Sequence, residues 1–425
     1  MHEKINGCRI CGCTHLVEIL HLGDQALTGV FPKTKTQDVP IGPLQLVKCA
    51  DGCGLVQLNH SFPADQMYGD NYGYRSGLNA SMVKHLQGRV TAARDYVALS
   101  PNDIVLDIGS NDSTTLQAYG NGGFRLVGMD PSGHKFRHYY PKHVQLIPDF
   151  FNAPAFAKHF GSEKAKIITS IAMFYDLDDP TSFMKQVYEC LDDEGVWVFE
   201  QSYLPLMIER NAYDTVCHEH VSYYALRQIQ WMTDRVGFKI LDVELNDING
   251  GSFCVTVAKN SSSHTPNSVE IQCILDREDA VGYNDWEVYD RFRERVFQHR
   301  DDLKSLLRQL NAAGKDVCGY GASTKGNVVL QFCDVTTKQL RGIAEVNEEK
   351  FGAYTPFNYI PIASESDIKA GNPDYMIVLP WHFRENILKR EQGYLASGGN
   401  LIFPLPELEI VYGVASLQTT GRAAA

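Results

Sequence analysis

Long apolar runs are missing from this 425-residue chain. Without a stretch of about 18 apolar residues, no membrane-spanning helix is expected. The first residues, MHEKINGCRICGC, contain no apolar core of the kind a secretory signal needs. Positive charge is in short supply too: 39 Lys and Arg face 51 Asp and Glu, a formal net charge of −12. A general nucleic-acid partner, which needs a broad basic surface, is therefore not expected. An even set of cysteines is absent. Eleven thiols with no signal segment argue against a disulfide framework and for a reducing cytoplasm. Low-complexity sequence is confined to the serines at 261–263 and the alanine tail, and no internal repeat is visible. What remains is ordinary globular material, 44% hydrophobic and 21% charged, enough for more than one core.

Three blocks follow one another. Residues 1–75 are rich in Cys, Gly and aromatics and show no long helical period. From Asn79 to Ser100, Met82, Leu86, Val90, Ala93 and Val97 recur at helical spacing. A second block, residues 76–262, alternates strands and helices, which implies a doubly wound α/β sheet. IVLDI, RLVGMD, KIITSIAM and GVWVFEQ read as its strands, with FKILDVEL and GSFCVTVAK as late, antiparallel ones. The third block, residues 263–425, opens with a long helix predicted over Trp286 to about Ala313, with Gly314 placed to cap it. DVCGYG, RGIAEV, YMIVLP and NLIFPLP then supply strands for a second α/β unit, with a helix opening at STKGN.

Cys8-x-x-Cys11 and Cys49-x-x-x-Cys53 are two close pairs separated by 37 residues. Four thiolates on two turns suit tetrahedral Zn2+ with no open position, hence a structural metal. Its binding would supply folding energy that so small a segment lacks. Cys13 is a spare thiol in the same stretch.

LDIGSNDSTTL follows a strand and opens a helix. Such a turn brings backbone N–H groups close to a ligand. Asp107 ends the strand, and Asp130 ends the next one, 23 residues on, where a carboxylate can accept from ribose hydroxyls. The turn lacks the several glycines that a pyrophosphate requires. S-adenosylmethionine carries no phosphate and relaxes that demand. The densest titratable cluster is YDTVCHEHVSYY. If the backbone is extended, His218 and His220 share a face; if helical, they diverge. A catalytic base, a metal-binding pair and a polar loop all remain open from the residues alone.

Taken in order, CRICG with its later Cys pair, YGYRSG at 72–77, DIGSNDSTTL, the HEH segment, NGGSF at 249–253 and YGASTKGN at 320–327 resemble the three-part sugar C-methyltransferases of deoxysugar and surface-glycan pathways. The resemblance runs over essentially the whole chain. It implies a small N-terminal zinc-binding domain with Cys8, Cys11, Cys49 and Cys53 as ligands, a central Rossmann-like methyltransferase domain and a C-terminal substrate-binding α/β domain. It implies S-adenosylmethionine as methyl donor and a nucleotide-diphosphate sugar with a 4-keto group as substrate, methylated at C3. By position, His220 resembles the family base, with Glu219 and His218 beside it and Tyr72 or Tyr74 near the sugar. Asp107, Gly109, Asn111, Asp112, Asp130 and Pro131 match the donor site. Tyr224, Asn249, Lys325 and Asn327 match the region near the substrate. Two positions depart from the pattern: Cys217 stands where several relatives carry tyrosine, and Ser113 where glycine is common. A serine at 113 needs a negative φ or some strain.

The expected chemistry is removal of the C3 proton by His220, a hydrogen-bond donor such as Tyr72, Tyr74 or His218 on the enolate oxygen, and methyl transfer to carbon without a catalytic metal. Tyr213 and Tyr223 are further candidates for the donor that Cys217 does not supply. The protein is expected to be cytoplasmic and to act as a monomer or weak dimer. Other readings are an O-methyltransferase, an oxidoreductase binding a nicotinamide at VCGYGASTKG, and a non-catalytic nucleotide-sugar binder. Trp381 and His382 read as a packed turn.

Overall fold

A computed structural model describes residues 2–63, 67 and 74–414. Tyr72, one of the two tyrosines expected near the sugar, lies outside the described residues.

The N-terminal block, which shows no long helical period in sequence, forms strands. A short pair, β1 (Glu3–Lys4) and β5 (His60–Ser61), lies beside a four-stranded sheet of order β11-β4-β3-β2. Its members are β2 (Leu16–Ala26), β3 (Ile41–Cys49), β4 (Val56–Leu58) and β11 (Ser222–Tyr223). The last belongs by sequence to the central block and directly follows the HEH segment. The four expected ligand sulfurs lie within 4.8 Å of one another, with Cys8–Cys53 and Cys11–Cys49 at 3.5 Å. Tetrahedral Zn–S bonds of about 2.3 Å put sulfurs about 3.8 Å apart, so this set fits zinc. Cys13 stays outside the set. Gly52 passes so close that a Cβ there would sit 2.6 Å from Cys11 Sγ and 2.8 Å from Cys49 Sγ.

The expected helix is α1 (Ala80–Tyr96), capped by the Asn79 side chain and burying Met82, Leu86, Val90 and Ala93. It packs on a seven-stranded sheet of order β12-β13-β10-β9-β6-β7-β8. The strands are β6 (Ile104–Ile108), β7 (Arg125–Met129), β8 (Val144–Ile147), β9 (Ala165–Ile171), β10 (Leu191–Ser202), β12 (Phe238–Asn246) and β13 (Ser252–Lys259). β13 runs antiparallel to both neighbours, as expected of a late strand. After β8 the chain returns to the other side of β6, so the order reverses between β6 and β9. Ligands bind at such switch points in open α/β sheets.

The long helix α2 (Trp286–Ala312) leads into the third block, and Gly314 takes φ +68° just past it. A six-stranded sheet of order β16-β15-β14-β17-β18-β19 follows. It comprises β14 (Val317–Tyr320), β15 (Ile343–Glu345), β16 (Ile362–Ser364), β17 (Tyr375–Val378), β18 (Asn400–Phe403) and β19 (Glu409–Val411), with α3 (Thr324–Phe332) after β14. Its switch point lies between β14 and β17. One apolar cluster joins Leu20, Leu44 and Leu58 of the small sheet to Val288 and Phe292 of α2 and to the third block. A second joins Cys8, Cys49 and Leu55 to the central sheet. The small domain is thus packed into both larger ones. No helix among the described residues is long and apolar enough to cross a membrane.

Gly52→Ala is expected to remove most of the bound zinc and to lower the melting temperature, read by elemental analysis and calorimetry. Full zinc content in this variant would show that the four sulfurs are held differently.

Candidate active site

The donor half is built at the end of β6. Gly109 takes φ +73°, and Met173 lies over it so closely that a Cβ would be 3.3 Å from Met173 Cγ. Only glycine suits this bend. Asp130, at the end of β7, accepts from the Asn111 backbone N–H (2.7 Å) and from Ser132 N–H and Oγ (2.7 and 2.6 Å). The carboxylate is thereby fixed where a ribose would meet it, and half-exposed Pro131 follows directly. Asp107 is different. It is fully buried, accepts from Thr169 Oγ1 at 2.5 Å, and burial pushes its carboxyl up to about 7. It braces β6 against β9.

Asn111 and Asp112 reach the preceding segment. Asn111 Oδ1 accepts from Ser76 N–H (3.0 Å), and its Nδ2 donates to the Tyr74 carbonyl (3.1 Å). Asp112 Oδ2 accepts from Gly77 N–H (2.9 Å). The YGYRSG and DIGSND motifs are therefore two sides of one structure. Tyr74 itself is half exposed. Ser113 does adopt the strained conformation, φ +65°, at a cost on the order of 1 kcal/mol. Its hydroxyl bonds the Tyr139 carbonyl (3.2 Å).

The HEH segment is neither strand nor helix. It turns at His218 and Glu219, sending the three side chains to three places. His218 points into the small domain, with Nε2 at 3.3 Å from the Gly42 carbonyl and its ring edge-on to Phe62. Burial lowers its pKa to about 4. The expectation that it holds the enolate oxygen finds no support in this placement. No His pair forms a metal cluster among the described residues. Glu219 tucks under the Thr28–Gly29 turn of the small domain, where Thr28 Oγ1 lies at 3.5 Å and burial raises its carboxyl. A Cβ on Gly29 would overlap the Glu219 carboxylate.

His220 is held by its backbone neighbourhood through one ring nitrogen. Its Nδ1–H donates to the Thr215 carbonyl at 2.9 Å, which fixes the tautomer and leaves Nε2 without a hydrogen bond among the described residues. The Tyr223 hydroxyl donates to the same carbonyl (3.3 Å). The His220 ring lies 4.1 Å from that of Tyr175, two residues beyond the Met173 that covers Gly109. This short chain of contacts ties the imidazole to the donor turn. Burial, then the charge of Lys325, lowers its pKa to about 3.

The far wall comes from the second switch point. Lys325, early in α3, donates to the Asn249 carbonyl at 2.5 Å, and Asn249 takes φ +54° to present it. Trp381, just after β17, packs against Gly250 and donates Nε1–H to Asp214 at 2.7 Å. Beside it the buried Nδ1 of His382 has no hydrogen-bond partner among the described residues. The same holds for both amide atoms of Gln201 at the end of β10. In sequence His382 reads only as part of a packed turn, and Gln201 does not stand out, because a lone His in a turn and a Gln in a strand carry no motif. Other expected residues lie elsewhere. Asn327 Nδ2 donates to the Thr28 carbonyl (2.8 Å), joining the small domain to α3. Tyr224 is fully buried against Phe174, within electrostatic reach of Arg9 and Cys8. Tyr213 is committed to His299 Nδ1 (3.0 Å).

Comparison with known proteins follows this division of the chain. Residues 8–68 match a zinc binding domain family, 82–243 a methyltransferase domain family, and 247–406 a family described as the C-methyltransferase C-terminal domain. The chain is 28% identical to the C-methyltransferase NovU of Streptomyces niveus over 98% of its own length and 99% of that protein's. Among solved structures, a TehB-like SAM-dependent methyltransferase from Corynebacterium glutamicum aligns at 11% identity, over 41% of this chain and 87% of the other, with a TM-score of 0.30. The mitomycin 7-O-methyltransferase MmcR aligns at 10% identity, over 43% and 55%, with a TM-score of 0.34. The protein is an S-adenosylmethionine-dependent methyltransferase. Its three parts match, in order, the families of a zinc binding domain, a methyltransferase domain and a C-methyltransferase C-terminal domain.

Gly29→Ala is expected to lower kcat by about tenfold to 100-fold by displacing Glu219, since a misplacement of about 1 Å can cost that much. Donor affinity should stay within about twofold, as the donor turn is not touched. Wild-type turnover in this variant would remove the Glu219 carboxyl from the chemistry.

Proposed function

We propose that the protein methylates the carbon next to the ketone of a nucleotide-linked 4-keto sugar, with His220 as the base. One observation supports this: the imidazole is pinned at Nδ1 by the Thr215 carbonyl, which leaves Nε2 without a hydrogen bond among the described residues. The donor, when bound, supplies an electrophilic methyl group. Carbon methylation then requires only that a carbon nucleophile be made. A ketone acidifies the neighbouring C–H, and a neutral imidazole within reach removes the proton. Asp130 and the Gly109 turn are placed to hold the donor, and the Asn249, Lys325 and Trp381 wall to receive the sugar. The relative NovU and the C-methyltransferase C-terminal domain both support transfer to carbon over transfer to oxygen.

The oxidoreductase reading finds no support at VCGYGASTKG. There Glu345 accepts the backbone N–H groups of Ala322 (2.8 Å), Val346 (2.7 Å) and Asn347 (2.9 Å) and braces its own turn.

His220→Asn is expected to reduce kcat by about 10²- to 10⁴-fold with donor binding intact. Turnover near the wild-type level, with calorimetry showing normal donor affinity, would take His220 out of the mechanism. The pH profile gives a second check. A base with its pKa lowered to about 3 stays neutral far below the usual histidine range. At saturating donor, kcat/KM should therefore show no acidic limb centred near pH 6.5. Loss of activity centred there, abolished in His220→Asn, would mean that the imidazole is not shielded.

A further inference from the structure

Enolate formation places a negative charge on the sugar's carbonyl oxygen, and something in the cleft must hold it. Among the described residues, the groups expected to do so from sequence are spent or turned away. His218 faces Gly42 in the small domain, Tyr213 is bound to His299, Tyr223 is bound to the Thr215 carbonyl, and Tyr74 is half exposed beside the donor turn. Cys217 is buried, and burial holds its thiol far above the usual range, so no thiolate is at hand there.

Lys325 remains. It sits at the switch point of the six-stranded sheet, in the helix that follows β14. A lysine ammonium has three N–H donors. One is used on the Asn249 carbonyl, and Nζ forms no ion pair among the described residues. Asp214, the carboxyl within its electrostatic reach, is held by Trp381 Nε1–H instead. A short chain of contacts links it to His220: the Asn249 carbonyl, the neighbouring Gly250 against Trp381, Trp381 Nε1–H on Asp214, and the adjoining Thr215 carbonyl on His220 Nδ1. Such an arrangement suits an anion that exists only during reaction.

Resting on the enolate reading above, we infer that Lys325 is the catalytic cation that holds the enolate oxygen. The C–H electron pair becomes the C=C bond, the carbonyl π pair moves onto oxygen beside Nζ, and the proton passes to His220 Nε2. When the C–C bond forms, the ketone is restored, the S–CH3 bond breaks to leave a neutral thioether, and the imidazolium proton returns to water. The same charge explains how a base with so low a pKa can work. Lys325 disfavours the imidazolium in the free site, and an enolate beside Nζ cancels that repulsion as the proton arrives.

The test uses the full-length, zinc-loaded protein and its Lys325→Met and Lys325→Arg variants. TDP-, UDP- and GDP-linked 4-keto-6-deoxyhexoses are incubated in D2O, without donor and with S-adenosylhomocysteine in a parallel arm. Deuterium next to the ketone is followed by NMR. Calorimetry measures binding of the matching nucleoside diphosphate, and circular dichroism confirms folding. Exchange by the wild type, a fall of about 100-fold or more in Lys325→Met with diphosphate affinity unchanged, and partial recovery in Lys325→Arg are expected. Exchange in Lys325→Met within about threefold of wild type overturns the role of Lys325 and leaves the enolate reading standing. Parallel loss of diphosphate affinity and exchange reassigns Lys325 to the diphosphate and overturns its role. Absence of wild-type exchange with every sugar in both arms overturns the enolate reading and this inference with it.

Discussion

Arg9 lies between two zinc ligands, and its guanidinium is the joint on which the site turns. Its side chain is 3% exposed. A buried guanidinium is tolerable only if its donors are satisfied. It donates to the carbonyls of Leu58 (2.6 Å), His60 (3.2 Å) and Val221 (3.4 Å), and to Ser61 Oγ (2.8 Å) and Asp178 (3.3 Å). Val221 adjoins His220. The strand that follows pairs with β4, and Leu58 N–H bonds the Val221 carbonyl at 2.9 Å. A metal held by the four sulfurs would fix Cys8 and Cys11 and through them Arg9, and Arg9 helps fix Val221, the residue next to His220. The zinc module is thus structural in its chemistry and positional in its effect.

The two larger domains repeat one device. In each, a carboxylate at the end of the second strand ties down the turn after the first. Asp130 takes the N–H of Asn111 and of Ser132, and Glu345 takes that of Ala322 and of Asn347. Each sheet therefore offers a rigid switch point. The Asp214–His220 loop, the Asn249 turn and α3 meet where the two approach. Among the described residues, His220 Nε2 has no hydrogen bond and Lys325 Nζ has the one to the Asn249 carbonyl.

Periodic features were legible in the sequence. IVLDI, RLVGM and the long helix from Trp286 are strands and helix where apolar spacing put them, because a buried strand or an amphipathic helix declares itself locally. The small domain's strands were not read. β2 and β3 carry register shifts at Glu18/Leu20 and His21/Asp24, which break the two-residue alternation. The HEH segment misled for a related reason. Both strand and helix geometries presuppose regular backbone, whereas a turn separates His218 from His220. Motif spacing located the donor residues Gly109 and Asp130, but it gave no sign that Asn111 and Asp112 hold the 74–77 segment. Contacts such as Glu219 with Gly29 or Lys325 with Asn249 join distant parts of the chain, and local sequence carries no mark of them.

Thr28 and Gly29 have a consequence for how this architecture diversifies. They come from the metal-bearing module, yet they form the floor under an acidic side chain of the reaction chamber. A fragment trimmed to its donor-binding unit would keep the cofactor crevice and lose part of the chamber itself. Exchange of the N-terminal module between relatives would therefore reshape the chemistry as well as the stability, and the three parts are bound to evolve as one.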